Sequence, residues 1–330
     1  MPLTRERPMR SRCVIVGLGK IGMGYDIDSG LEAGSVYSHA KAFSLHPSFQ
    51  LVCAVDPSGS KRGIFSKHFG LSAYPDVQQA ACEGAADVVV IASPTQEHFR
   101  AIGDVVSHLA PRVILCEKPL SYSLADANCM VEACESKNVK LYVNYMRRSD
   151  PGAIEIKARI DSGSIATPLK GIAWYSKGFL HNGSHFFNLL EYWLGDFVTA
   201  KIISPGRILE GEDCEPDVQV EFERGSVVFL AAREEAFSHY TVELLSQSGR
   251  LRYEQGGELV AWQSVDDDPN FPGYRILRST PDLIENDMGR YQLNVVDQLA
   301  NALANRQSFL CTGREALATL NAMHQILKLR

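Results

Sequence analysis

A glycine run at residues 17–22, a carboxylate at 56, a lysine at 118 and two histidines at 181 and 185 are where this chain's residue types and spacing suit chemistry. Gly17-Leu18-Gly19-Lys20-Ile21-Gly22 directly follows a β-branched apolar run, so it reads as the turn from a first strand into a helix. There Gly17 permits the tight turn, Gly19 lets the backbone approach a pyrophosphate, and Gly22 lets the helix pack on the strand. Free N–H groups around Lys20 and Ile21, with the partial positive charge of a helix N-terminus, then hold phosphate without a basic side chain. Asp56 ends the second apolar run. A carboxylate there accepts hydrogen bonds from the adenosine ribose hydroxyls and repels a 2′-phosphate, which predicts NAD over NADP. Lys61 and Arg62 keep NADP possible, and Asp56 also suits a simple cap for the turn at Pro57.

An alcohol loses hydride only as its hydroxyl proton is taken or shared. Lys118, in Glu117-Lys118-Pro119 at the end of a strand-like run, is therefore a candidate proton acceptor or oxyanion stabiliser. Spacing alone fits an exposed lysine paired with Glu117 equally well. His185 falls at or near the first turn of an apolar helix and is of a type that titrates near neutrality, so it can pass a substrate proton; taken alone, it suits a structural role better. His181 lies four residues earlier, but no glutamate intervenes as in H-E-x-x-H and Gly183 opposes a continuous helix, so no metal is expected.

The elements that must carry these residues are legible as a change of rhythm. From Arg12 to Tyr145 the runs CVIVG, LVCAVD, DVVVIAS, RVILCEK and VKLYVNY alternate with amphipathic stretches, including Thr95–Leu109 and a helix from Leu124 to Ser136 capped by Ser123. Strands without polar alternation, joined by helices, predict a doubly wound α/β parallel sheet, a Rossmann domain spanning residues 1–148. Gly22 and Asp56 are 34 positions apart, against roughly 20 in the simple motif. A loop is therefore expected over Gly24–Gly34, either bordering the site or external, with helix resuming over Ser35–Leu45. Residues 149–330 are expected to form an α+β domain: a helix, the strand KGIAWYS, the helix HFFNLLEYWLG, then VQVEFE, SVVFLAA, TVELLSQ, RLRYE and ELVAW as an antiparallel sheet. Val265–Pro281 reads as a loop, and Ile284–Ala304 and Arg314–Leu329 as closing helices.

Composition narrows the partners. The 330 residues are 45% hydrophobic and 22% charged with a net charge of −6, which favours a small-molecule ligand over nucleic acid or an anionic membrane. No apolar run approaches the ~20 residues of a membrane helix, and the basic amino terminus precedes too short an apolar run for a signal peptide. The cytoplasm is the expected compartment. The eight scattered cysteines (13, 53, 82, 116, 129, 134, 214 and 311), with no Cys-x-x-Cys, read as reduced thiols.

Together, GLGKIG after the first strand, SPTQEH at Ser93–His98, EKP at 117–119, GSH before an apolar helix, and the ending TGREALATLNAMHQI from Thr312 resemble the Gfo/Idh/MocA family of sugar and inositol dehydrogenases. The resemblance implies a Rossmann domain followed by an α/β domain with an open, mainly antiparallel sheet that often makes oligomer contacts, so a homo-oligomer, dimer or tetramer, is expected. It implies that Lys118 contacts the reacting hydroxyl and that His185 is the acid/base. Ser93, Pro94, Thr95 and His98 would lie beside the cofactor, and Glu117 would help hold the nicotinamide side. Many members carry Asp four residues before the histidine; here that position is His181, which would share the proton role, hold a substrate carboxylate or phosphate, or reflect a different substrate class. Asn182, Tyr145 and Arg148 are expected substrate contacts, the last because a guanidinium suits carboxylate or phosphate. The implied activity is hydride transfer between NAD(P) and a hydroxyl-bearing carbon of a sugar, inositol or nucleotide sugar. The alternatives are an NAD-dependent glycosidase or lyase that retains its cofactor, and a non-catalytic dinucleotide sensor.

Overall fold

The computed structural model describes residues 10–27, 34–209, 213–232 and 237–330. The chain forms two units: one runs to Asn144 and takes in Gly289–Arg314, the other consists of Tyr145–Met288 and Glu315–Arg330.

In the first unit β1 (Ser11–Val16), β2 (Phe49–Val55), β3 (Ser72–Tyr74), β4 (Val88–Ile91), β5 (Val113–Cys116) and β6 (Lys140–Val143) lie parallel in the order β6-β5-β4-β1-β2-β3. The order reverses between β1 and β4, which opens a crevice at their C-terminal ends. β4 and β5 are buried along their whole length, as strands covered on both faces must be. The helices are α1 (Tyr25–Ile27), α2 (His39–Leu45), α3 (Gly59–Phe69), α4 (Val77–Ala80), α5 (His98–His108) and α6 (Leu124–Ser136). Side-chain oxygens take up free N–H groups where three of them begin: Ser58 accepts from Lys61 N, Asp76 from Gln79 N, and Ser123, the expected cap, from Asp126 N. β3 has only three residues, too few for its pattern to announce it.

The stretch after the glycine motif departs from expectation. A π-helical turn over Lys20–Gly24 runs on into α1, so helix reaches Ile27 where a loop from Gly24 was expected. Residues 28–33 of that loop lie outside the described residues, and the helix expected from Ser35 begins at His39. Asp26 ties the two sides together. Its carboxylate accepts from Tyr37 N at 3.1 Å and from Ser38 N and Ser38 Oγ at 2.6 Å each.

The second unit contains α7 (Pro151–Asp161), β7 (Leu169–Tyr175), α8 (Ser184–Leu194), β8 (Phe197–Ile208), β9 (Cys214–Phe222), β10 (Gly225–Ala231), β11 (Thr241–Ser246), β12 (Gly249–Glu254), β13 (Leu259–Asp267), β14 (Arg275–Leu277) and β15 (Asp282–Leu283). Its sheet runs β14-β13-β12-β11-β7-β10-β9-β8, with β15 also on β13; β7 and β10 are parallel and the other pairs antiparallel. Alternate residues of β10 are buried, and Phe229 joins Phe179 and Phe187 in an aromatic core, with Phe222 also against Phe187. On the opposite face Ile172, Trp174, Val228 and Leu230 stay partly exposed. The expected loop at Val265–Pro281 is partly sheet, because Asp268 Oδ1 accepts from Asn270 N and Phe271 N and closes a hairpin between β13 and β14. Polar composition hid it. β8, whose register slips along Ser-Pro-Gly, was likewise not legible as a strand.

The boundary expected after Arg148, with everything beyond it in one domain, is corrected by the carboxyl-terminal segment. α9 (Tyr291–Leu303) packs on α2, where Asp297 meets His46 Nε2 at 2.8 Å, and β16 (Cys311–Thr312) pairs antiparallel with β6, so Gly289–Arg314 returns to the first unit. The helix expected from Ile284 starts only at Tyr291, since Ile284 N still donates to Val260 O as sheet. α10 (Gly313–Leu327) follows. Among the described residues no helix is long and apolar enough to cross a membrane, and no group of three His, Cys, Asp or Glu is placed to hold a metal ion.

Within the second unit, burial pushes the Glu191 carboxyl on α8 up to about 8, against a hydrogen bond from Thr319 that favours its charged form. A carboxyl raised above its unfolded value stabilises the fold below the unfolded value, and this contribution is lost as pH rises towards 8. Glu191→Gln should therefore flatten the fall in unfolding free energy between pH 5 and pH 8 by up to about 1.4 kcal/mol per pH unit, read by chemical denaturation at several pH values.

Candidate active site

The C-terminal ends of β1, β2 and β4 border a cavity of about 750 Å³ in the first unit. Gly17, Gly19, Lys20, Ile21, Asp56, Ser93 and Pro94 line it, as the dinucleotide reading requires. The three motif glycines do different work. Gly17 has φ +102°, and a Cβ there would stand 2.5 Å from the backbone of Ala92 and Ser93. At Gly22 it would stand 2.1 Å from Gly17 O, so Gly22 faces inward rather than into the cavity. At Gly19 a Cβ would meet nothing within 4 Å. Internal packing therefore does not demand glycine at 19, and the open space there, at the head of the π turn, fits a pyrophosphate drawn against the backbone.

Asp56, 4% exposed, is both groove wall and cap. Its Oδ2 accepts from Leu18 N at 2.8 Å and its Oδ1 from Ser58 N at 2.9 Å. Lys61 Nζ lies 3.6 Å from Oδ2, whereas Arg62 turns back to donate to the carbonyls of Asp56 and Pro57. Ser93 and Pro94 follow β4 at the cavity, while Thr95 opens a 3-10 turn behind them. His98 is corrected: it does not line the cavity but is fully buried, its Nδ1 3.1 Å from Leu120 O and its Nε2 3.0 Å from Ser93 O. It clamps the turn after β4 to the turn after β5. Burial pulls its pKa down against these two contacts.

Glu117 and Lys118 lie on that second turn, both partly buried and outside the cavity wall. Burial pushes the Glu117 carboxyl up, but hydrogen bonds from His39 and Asn144 and the charge of Lys118 outweigh it and hold it below its usual value.

In the second unit, Gly178–Gly183 is a π-helical turn running directly into α8, so Gly183 does not break the helix as expected; its φ of −56° and ψ of −33° are helical. The wider turn leaves Leu180 N and His181 N to the carboxylate of Asp213, at 2.9 Å each. His181 is exposed, and His185, in the first turn of α8, is 8% exposed with its ring edge-on to Tyr145 at 6.0 Å. Asn182 Nδ2 donates to Tyr240 Oη at 3.0 Å, and Tyr240 stacks on Phe186. These residues are thus brought together. Arg148 is corrected as a substrate contact: it is 7% exposed, donates to Glu315 at 2.7 Å and stacks over Tyr192 at 4.7 Å. That geometry fixes the 3-10 turn Met146–Ser149 against α8 and α10.

Residues 11–145 match the Gfo/Idh/MocA oxidoreductase family, described by its NAD-binding Rossmann fold. A scyllo-inositol 2-dehydrogenase (NAD(+)) of Bacillus subtilis (strain 168) is 28% identical over 272 residues, 73% of this chain and 72% of that protein. The chain is thus similar to the Gfo/Idh/MocA oxidoreductases, residues 11–145 carrying the match to that family's NAD-binding Rossmann fold. It is an enzyme, an oxidoreductase that uses NAD. The aldose-aldose oxidoreductase of Caulobacter crescentus, complexed with glycerol, shares its fold at a TM-score of 0.78, 15% identity and 97% coverage of each chain. The WlbA dehydrogenase of Bordetella pertussis, in complex with NADH and UDP-GlcNAcA, does so at a TM-score of 0.72, 19% identity and 97% coverage of each chain.

Sequence reasoning missed the partners that hold these motifs: His39 and Asn144 on Glu117, Asp213 beneath His181, and Tyr240 on Asn182. None lies within a motif, and each meets its partner across at least 27 positions of chain. The glycines give a sharp contrast to test. Gly19→Ala should leave the melting temperature of the free protein near that of the parent while weakening NADH binding by fluorescence titration. Gly22→Ala, which forces a backbone overlap, should cost roughly 1–3 kcal/mol or more of stability.

Proposed function

We propose that this enzyme reversibly oxidises a secondary hydroxyl of a sugar, inositol or nucleotide-linked sugar, the carbon-bound hydrogen leaving as hydride and the hydroxyl hydrogen as a proton. The observation that carries the reading is the cradle at Gly19, which nothing in the protein fills, in a chain akin to an inositol dehydrogenase. The adenosine ribose hydroxyls fit Asp56, and the pyrophosphate fits the N–H groups after Gly19. Bound there, NAD supplies the hydride acceptor. The ion pair from Lys61 partly neutralises Asp56, so the preference for NAD over NADP is graded rather than absolute.

Lys118 is the residue we assign to the reacting hydroxyl. Its amine shares or accepts the hydroxyl proton and stabilises the oxygen as the carbonyl forms. We assign His185, its ring held edge-on by Tyr145, as a proton acid/base of the second unit, a role His181, four residues earlier, shares. Tyr145 and Asn182 orient the substrate's remaining hydroxyls. The scattered spacing of the eight cysteines, with no Cys-x-x-Cys pair, supports a reducing, cytoplasmic setting. A homo-oligomer would use the half-exposed apolar face formed by Ile172, Trp174, Val228 and Leu230.

Two measurements check these readings. Absorbance of reduced nicotinamide, followed with NAD and NADP across polyols, sugars, sugar acids and nucleotide sugars, should rise with at least one substrate; Lys118→Ala should abolish the rise while NADH affinity persists. Net product formation without lasting cofactor reduction would replace this reading with a retained-cofactor lyase or glycosidase, and binding without any turnover with a sensor. Sedimentation should show a dimer or tetramer that Val228→Glu/Leu230→Glu converts to monomer; a parent that sediments as a monomer would remove the oligomer proposal.

A further inference from the structure

Outside the motif residues, one buried polar cluster of the first unit stands apart: His39, Glu117, Asn144 and Gln292. His39 is the first residue of α2 and is fully buried. Its Nε2 lies 2.7 Å from Glu117 Oε1, the same oxygen to which Asn144 Nδ2 donates at 2.7 Å; Asn144 Nδ2 also lies 3.2 Å from Gln292 Oε1. His39 Nδ1, Asn144 Oδ1 and Gln292 Nε2 are buried without a hydrogen-bond partner among the described residues. Buried polar atoms ordinarily find a protein, water or ligand partner, so this cluster has hydrogen-bonding capacity beyond its internal contacts.

We propose that His39 is a positioning residue that holds Glu117 for the nicotinamide end of the cofactor. This rests on the dehydrogenase reading given above. Both hydrogen bonds converge on Oε1, which leaves Oε2 of a side chain that is 13% exposed without a hydrogen bond among the described residues. Asp56 and Gly19 assign the adenosine and pyrophosphate to β1 and β2, so the second mononucleotide half lies on the β4–β5 side, where Glu117 ends β5. A carboxylate oxygen there is an acceptor suited to a carboxamide N–H donor. The length of chain between Gly22 and β2 gains a role as well. Asp26 grips Tyr37 N, Ser38 N and Ser38 Oγ, and this grip sets the first residue of α2, and so His39, onto Glu117.

The test separates the two ends of the cofactor. NADH and ADP-ribose, which lacks nicotinamide, are titrated by calorimetry against the parent, His39→Leu, His39→Gln, Glu117→Gln and the double variant His39→Leu/Glu117→Gln. A lost charge-assisted hydrogen bond of about 1.4 kcal/mol corresponds to about tenfold. NADH binding should weaken by about that factor in His39→Leu and in Glu117→Gln, with no further loss in the double variant, while ADP-ribose affinity stays unchanged. His39→Gln, whose amide can donate to Glu117, should recover most of the NADH affinity. Equal loss of both ligands in His39→Leu, or no loss of either, would overturn the positioning role and leave the dehydrogenase reading intact. If the parent itself fails to bind NADH, both fall together. If His39→Leu does not fold, His39→Asn, whose shorter amide falls short of Glu117, takes its place: selective loss of NADH affinity relative to His39→Gln supports the proposal, and its absence overturns it.

Discussion

The corner where β1 ends is the constraint on which the cofactor half depends. Three backbone segments meet there: the turn at Gly17, the π turn at Gly22, and the end of β4 at Ala92. A side chain at 17 or 22 would overlap main-chain atoms at 2.1–2.5 Å, so the helix can begin where it does only if both are glycine. Once the helix begins there, its free N–H groups face the crevice produced by the reversal of strand order. Gly19, alone among the three, has open space beside it, which suits a phosphate drawn against the backbone. Steric necessity and ligand access thus divide a single short motif between them.

A second theme is how irregular segments near the candidate site are held. Each is gripped by a carboxylate that accepts from backbone N–H groups. Asp56 takes Leu18 and Ser58, Asp26 takes Tyr37 and Ser38, and Asp213 takes Leu180, His181 and Cys214. Glu215, fully buried and paired with Arg207, takes Lys177 and Gly178. Such segments lack the repeating partners of helix or sheet, and a carboxylate offers several acceptor sites in one place. The arrangement is not free: burial raises the Asp213 carboxyl even against the hydrogen bonds that favour its charge. The reward is a π turn that delivers His185 to the first turn of α8 in a fixed orientation.

Much of the fold was legible because its signals are local. Unbroken β-branched runs such as VVVI and VILC announce strands covered on both faces, and Ser123 three residues before Asp126 announces a helix start. The alternation along β10 separates a core face from an outer face with no help from neighbours. Legibility failed where a distant partner overrode local composition. The acidic run after β13 reads as loop until Asp268 folds it into a hairpin, and Arg148 reads as a ligand-binding guanidinium until Glu315 and Tyr192 claim it. His98 belongs to the same group, since two backbone carbonyls occupy a ring that its motif associates with cofactor.

The sequence by itself determined the two architectures, the glycine corner and the acidic residue closing β2. These follow from residue type and near-neighbour spacing, which act within a turn or a strand. Only the tertiary structure decided that Gly289–Arg314 returns to the first unit, that Gly19 and not Gly22 opens to a ligand, and that His39 and Asn144 converge on Glu117. Those outcomes depend on which surfaces meet after the chain has crossed the sheet: His39 and Glu117 are 78 positions apart and 2.7 Å from contact atom to contact atom. Contacts of that kind are selected by burial and hydrogen-bond satisfaction over the whole unit, and no local pattern carries their signature.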